Sequence, residues 1–130
     1  MPWAITYSKA EIADLIGLAR DYHVTIVPEI DVPAHSGAML ARHPDLALQG
    51  QGDMLDLGNP AAYVLIADLL NEYLPLFPGP FWHTGTDEYL ARNDYSLYPQ
   101  LLTYARQLYG PAASYQDIYT HKNRCASREV

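Results

Sequence analysis

The apolar positions change period early in the chain. Ile12, Leu15, Ile16 and Ala19 recur at three- and four-residue intervals behind Ser8-Lys9-Ala10-Glu11, a capping-box spacing, and predict a helix over Lys9–Asp21 whose apolar face packs on a sheet. The run Val24-Thr25-Ile26-Val27 is short and β-branched. It leads into Pro28-Glu29-Ile30-Asp31-Val32-Pro33, which predicts a buried strand and its carboxyl end. From Pro33 to Gly58 the chain is rich in Gly, Pro and polar residues, with room for one short helix near Ser36–Arg42, and a connection of that length is a candidate active-site loop. Asn59-Pro60 predicts a capped helix start, with Val64, Ala67, Leu70, Tyr73 and Leu74 on its inner face and Pro75, Pro78 and Pro80 beyond its end. Phe81-Trp82-His83-Thr84 predicts a second strand, and Pro99 to Tyr109 a third helix closed by Gly110-Pro111.

Strands separated by helices pair in parallel through right-handed crossovers, so the predicted class is an α/β sheet or barrel with its chemistry at the carboxyl ends of the strands. Past Tyr119 the apolar period stops. Residues 1–119 therefore read as one domain and residues 120–130 as an unpatterned tail. A length of 130 residues with 49% hydrophobic content suits a single globular core. The formal net charge of −7 argues against nucleic acid and anionic membrane as partners, since both demand clustered Lys and Arg. Cys125, the one cysteine, can form no intrachain disulfide and belongs to no zinc-type spacing. No basic-then-apolar leader is expected at the N-terminus, and no run reaches the roughly 18 apolar residues of a membrane span. Cellular address stays open.

The candidate chemistry sits in Glu29-Ile30-Asp31-Val32-Pro33-Ala34-His35 and His83-Thr84-Gly85-Thr86-Asp87-Glu88, at the ends of the two predicted strands. Paired strands run about 4.8 Å apart. Pairing would gather Glu29, Asp31, Asp87 and Glu88 with His35 and His83 at one rim, an arrangement suited to acid–base work on a polar substrate. The plainer alternative for any one of these acids is a cap on the turn or helix that follows. Asp87 and Glu88 are consecutive, so both can face one substrate only where the backbone leaves strand geometry, and Gly85 offers that place. A metal-dependent hydrolase using His35, His83, Asp31 and Asp87 is a further reading, although no helical H-E-x-x-H spacing accompanies it. Read on their own, the residues stop at an acid–base site of unknown substrate.

Pro28-Glu29-Ile30-Asp31-Val32-Pro33-Ala34-His35-Ser36-Gly37 and His83-Thr84-Gly85-Thr86-Asp87-Glu88 resemble the P-E-I-D-x-P-[GA]-H-S and H-x-G-[GA]-D-E motifs of glycoside hydrolase family 20 β-N-acetylhexosaminidases, in the same order and with a helix between. The resemblance runs from about Tyr7 to Gln116. It implies a (β/α)₈ TIM barrel, and because such barrels take about 250 residues, an incomplete one here. It also implies hydrolysis of terminal β-linked N-acetylglucosamine or N-acetylgalactosamine by substrate-assisted, retaining catalysis. By the same resemblance Glu88 is the general acid/base, Asp87 orients the substrate acetamido group, Asp31 and His35 form a supporting dyad, and His83 and Glu29 are substrate contacts. Neither metal nor cofactor is implied. Thr86 stands where the motif has Gly or Ala, which bears on substrate selectivity. Two further expectations follow: a truncated chain, with activity or inactivity of the isolated chain left open, and self-association through uncovered sheet edges. The alternative function is a non-catalytic carbohydrate-binding or subunit-interaction remnant, with Trp82 and some of the tyrosines stacking on sugars.

Overall fold

Ser8 starts helix α1 (Lys9–Asp21) with a reciprocal cap: its hydroxyl accepts from the Glu11 N–H at 3.2 Å, and Glu11 Oε2 accepts from the Ser8 N–H at 2.7 Å. The computed structural model describes residues 6–85, 87–90 and 94–128. Four further helices follow among them, α2 (Gly37–Leu40), α3 (Pro60–Tyr73), α4 (Pro99–Tyr109) and α5 (Tyr115–Arg128), with 3-10 turns at Pro44–Leu46, Leu74–Leu76 and Tyr95–Leu97.

The expected sheet is reduced to one parallel bridge, Glu29 with His83. The His83 N–H donates to Pro28 O at 3.0 Å and the Ile30 N–H to His83 O at 3.0 Å, so the predicted parallel direction is present where the two motifs begin. Regular strands are not formed among the described residues. Val24 and Val27, expected inside a strand, are exposed, because nothing among those residues hydrogen-bonds beside them in a ladder. The same lack of a covering sheet leaves α1 with no buried residue and with Leu15 and Leu18 open to solvent. Lys9 Nζ to Glu72 Oε1, 2.9 Å, ties α1 to the end of α3.

Asn59 Oδ1 accepts from the Ala61 N–H at 3.0 Å and Pro60 occupies the first turn, as the sequence predicts for the start of α3. The buried face, however, is Ala62, Ile66 and Leu70, and Val64 is 59% exposed. Val64 lies two residues, about 200°, around the helix from Ala62. Choosing 62, 66 and 70 lets α3 pack on Val32, Leu40, Leu46 and Leu55 in one core cluster. The long segment before α3 is more than an open loop. An antiparallel bridge joins Ala47 to Leu55, the Asp56 N–H donates to Leu46 O at 2.8 Å, and Leu46, Leu48, Leu55 and Leu57 are all buried.

The second cluster joins Leu48, Leu57, Tyr89, Tyr98, Leu101, Ala105 and Ile118, with α4 and α5 packed on each other. Here the expected tail is corrected, since residues 120–128 continue α5. Ile118 and Lys122 are both fully buried, and Tyr119 stacks on Tyr89 with ring centroids 6.2 Å apart. Tyr115, Ile118, Tyr119, Lys122 and Cys125 share a helical stripe, and the lysine in its middle hides the apolar period from a reading by residue type.

Candidate active site

Two short segments build the site, one around His35 and the other around Asp87 and Glu88, and all three of these side chains are exposed. In the first, Pro33, Ala34 and Ser36 are buried and His35 is exposed. The Leu55 N–H donates to Pro33 O and the Ser36 N–H to Asp53 O, both at 2.8 Å, so the segment of the antiparallel Ala47–Leu55 bridge fixes this turn at two points. Ser36 Oγ lies 3.2 Å from Pro33 O and 3.1 Å from Ala34 O, and its single proton is shared between them. In the second segment Glu88 precedes buried Tyr89 and Leu90, and the Tyr89 hydroxyl donates to Leu55 O at 3.0 Å. Burial pushes the Tyr89 phenol above its ordinary pKa. Leu55 thus anchors both segments, one through its N–H and one through its carbonyl.

His35 and Glu88 both adopt left-handed backbone, with φ of 55° and 54°. That region is uncommon for residues with a Cβ and persists where surrounding structure dictates it. Gly85, at φ 63°, begins the departure from strand geometry that consecutive Asp87 and Glu88 require. A Cβ on Gly85 would run into Asp31 Oδ1, so the Asp31 carboxylate lies directly on the glycine backbone. Thr86 falls outside the described residues.

The six sequence-predicted residues separate into two groups. His35 Nε2 lies 3.2 Å from Glu88 Oε2, with side chains 45% and 66% exposed. Asp31, His35 and Asp87 bring one nitrogen or oxygen each to within 4.8 Å of one another. Asp31 Oδ1 is buried and makes no hydrogen bond among the described residues. In the second group His83 Nδ1 meets Glu29 Oε1 at 2.6 Å, across the parallel bridge. The Gly85 N–H also approaches His83 Nδ1, at 3.3 Å, but one ring nitrogen cannot accept there and donate to Glu29 at once. The shorter contact with the carboxylate is the stronger one.

Chemically, the His35–Glu88 contact allows one proton to be held between an imidazole and a carboxylate that is open to solvent. Asp31, His35 and Asp87 are also potential metal ligands, but Asp87 and His35 are exposed and exposed acidic groups commonly gather without an ion, so we assign no metal to them. A cavity of about 350 Å³ opens beside the site, with Glu29, Asp31, His35, Met39, Tyr73 and Trp82 in its lining. Trp82 packs edge-on against Phe77, with ring centroids 5.7 Å apart and planes at 88°. Its ring is partly buried against the core and also lines the cavity. Sequence reasoning missed Lys122, whose Nζ donates to Thr84 O at 2.8 Å. The signal for it was its place in the apolar stripe of α5.

The family described as "Glycosyl hydrolase family 20, catalytic domain" matches residues 2–124. The chain belongs to that family. It is 31% identical over 119 residues to lacto-N-biosidase of Bifidobacterium bifidum, a match covering 88% of this chain and 11% of that protein. With β-hexosaminidase subunit A1 of Dictyostelium discoideum it shares 34% identity over 90 residues, 64% of this chain and 17% of the relative. Two solved structures superpose closely. The family 20 exo β-N-acetylglucosaminidase of Vibrio harveyi, in complex with N-acetylglucosamine, gives a TM-score of 0.81 at 30% identity over 95% of this chain and 21% of its own. Flavobacterium johnsoniae chitobiase gives 0.82 at 26% identity over 96% and 20%. The chain therefore spans between 11% and 21% of the length of these relatives.

Proposed function

We propose that this chain carries the acid–base centre of a β-N-acetylhexosaminidase, set in part of a (β/α)₈ barrel. The reaction is hydrolysis of a terminal β-linked N-acetylhexosamine with retention, in which the oxygen of the substrate's own 2-acetamido group attacks the anomeric carbon. Glu88 gives its proton to the glycosidic oxygen as that bond breaks. It then takes a proton from the water that opens the oxazolinium-like intermediate. Asp87 holds the acetamido N–H and balances the positive charge developing on that nitrogen. His35 holds Glu88 in place and shares its proton, Asp31 supports His35 from the turn, and Glu29 and His83 contact the sugar from the bridge side.

The observation that carries this reading is the 3.2 Å contact of His35 with Glu88, which falls at the edge of the roughly 2.6–3.2 Å reach that proton handling requires. The family match adds to it. The parallel bridge of Glu29 and His83 is then one piece of barrel wall, and the exposed Val24, Val27 and Phe81 belong to edges that further strands or a second copy would cover.

The test is nitrophenol release from a nitrophenyl N-acetyl-β-glucosaminide at high concentration of the 130-residue chain, beside Glu88→Gln. Loss of a general acid costs about 10²–10⁴-fold, so turnover in the parent chain and a drop of that size in the variant support the proposal. Saturable binding of N-acetylglucosamine without turnover would favour the carbohydrate-binding alternative. A folded chain that shows no turnover and no binding would overturn the assignment for this chain.

A further inference from the structure

Lys122 is the one charged side chain that is fully buried among the described residues. It sits on α5, distant in sequence from both motifs, yet its Nζ donates at 2.8 Å to the carbonyl of Thr84, the residue before Gly85. The same carbonyl lies 3.5 Å from the Val32 N–H, so it is where the two motif segments and α5 meet. Replacing a buried charge by an apolar residue of similar volume is often neutral or stabilising. Core packing alone therefore gives no reason for a lysine here, and the hydrogen bond to Thr84 O is the contact that an apolar residue would lack.

Burial pushes the Lys122 pKa down to about 8, and the one charged group acting against that is Asp31, whose negative charge favours the ammonium. Asp31 in turn lies against Gly85 and has a buried, unbonded oxygen. Close carboxylates repel each other, and a nearby fixed cation relieves that repulsion.

We propose that Lys122 is a positioning residue for the acid–base centre, tethering α5 to the Thr84 carbonyl and supplying the positive charge that lets Asp31 sit against the backbone leading to Asp87 and Glu88. The role rests on the function proposed above. It acts through other groups, since Lys122 is closed off from any substrate.

The experiment compares the full chain with Lys122→Met and Lys122→Arg by thermal melting, by amide hydrogen exchange and by glycoside turnover. The Met variant is expected to melt at or above the parent temperature. Its Gly85 and Asp87 amides should exchange at least about tenfold faster while Leu101 and Ala105 in α4 are unchanged, the sign of a local opening. Its kcat should fall by about 10- to 100-fold, as for a site set slightly out of place, with KM changed less than about twofold. The Arg variant, which keeps charge and donor, should restore most of both. Unchanged exchange at Gly85 and Asp87 in a folded Met variant would overturn the proposal. So would exchange that rises equally in α4, a Met variant that does not fold, or an Arg variant no better than Met. If the parent chain shows no turnover, the hydrolase reading fails by itself, and the exchange data still decide the tether.

Discussion

Gly85→Ala probes the contact on which the rim depends. Two costs combine. The first is backbone strain: Gly85 has φ 63°, and an L-residue in the left-handed region costs roughly 1–2 kcal/mol. The second is overlap: the new methyl would lie 2.6 Å from Asp31 Cγ and 2.9 Å from Asp31 Cα, besides meeting Oδ1. The carboxylate alone could swing aside, but the Cα cannot move without disturbing the 3.0 Å bond from the Ile30 N–H to His83 O. Forced overpacking of this kind costs about 1–3 kcal/mol. The sum is roughly 2–5 kcal/mol, a large part of the ~5–15 kcal/mol that holds a typical domain folded. Gly50 supplies the control, because its φ is 78° and a Cβ there meets nothing within 4 Å. Gly50→Ala should show the strain alone, about 1–2 kcal/mol. Urea titration followed by circular dichroism measures both, as midpoints at constant slope. If Gly85→Ala loses no more than Gly50→Ala, Asp31 does not rest on Gly85 and the description of the rim is wrong.

Two other outcomes follow from the same structure. Gly17 lies inside α1 with open space around its Cβ position, so Gly17→Ala should raise stability by about 0.5–1 kcal/mol; a lowered melting temperature would mean that the helix is not formed as described. Lys122 has a pKa near 8 when folded against an ordinary 10.5, so between those values the unfolded chain binds more protons and the lysine's contribution to stability must rise with pH. The stability of the parent chain minus that of Lys122→Met should therefore increase from pH 8 to pH 10.5, and a difference that is flat with pH would refute burial of the ammonium. Taking the difference also cancels the opposing loss from Tyr63 and Tyr89, whose burial raises their pKa values in both proteins.

Helix positions were legible where local chemistry sets them. The Ser8–Glu11 cap, the Asn59-Pro60 start and the Pro99–Tyr109 span with Gly110 at its end all depend on residues within one turn of each other. What was illegible depended on partners remote in sequence. Val64 carries the same apolar signal as Ile66, and only the position of Val32 and Leu55 selects which of them turns inward. The Val24–Val27 run has strand composition, but composition supplies no neighbour, and among the described residues none pairs with it. At the site, the two motifs named the residues that could gather, and the gathering of Asp31, His35, Asp87 and Glu88 is seen in distances. Parallel pairing of the two segments was legible, but the direct side-chain contact of Glu29 with His83 was not. Nor was Lys122, because a lysine reads as solvent-facing until the carbonyl that receives it is in place.

The bridge of Glu29 and His83 joins residues 54 positions apart, whereas α1, α3 and α4 are closed by bonds within one turn. Contacts this distant in sequence carry a loop-closure cost that the helices do not bear, and they form later in folding. The rim is consequently a late product of the chain: helices α1, α3 and α4 can persist while the two motif segments have parted. Gentle denaturant should then remove the His35–Glu88 pairing before it removes helical signal, and whatever caps the sheet edges in a larger assembly would act on this chain chiefly by keeping that one long closure shut.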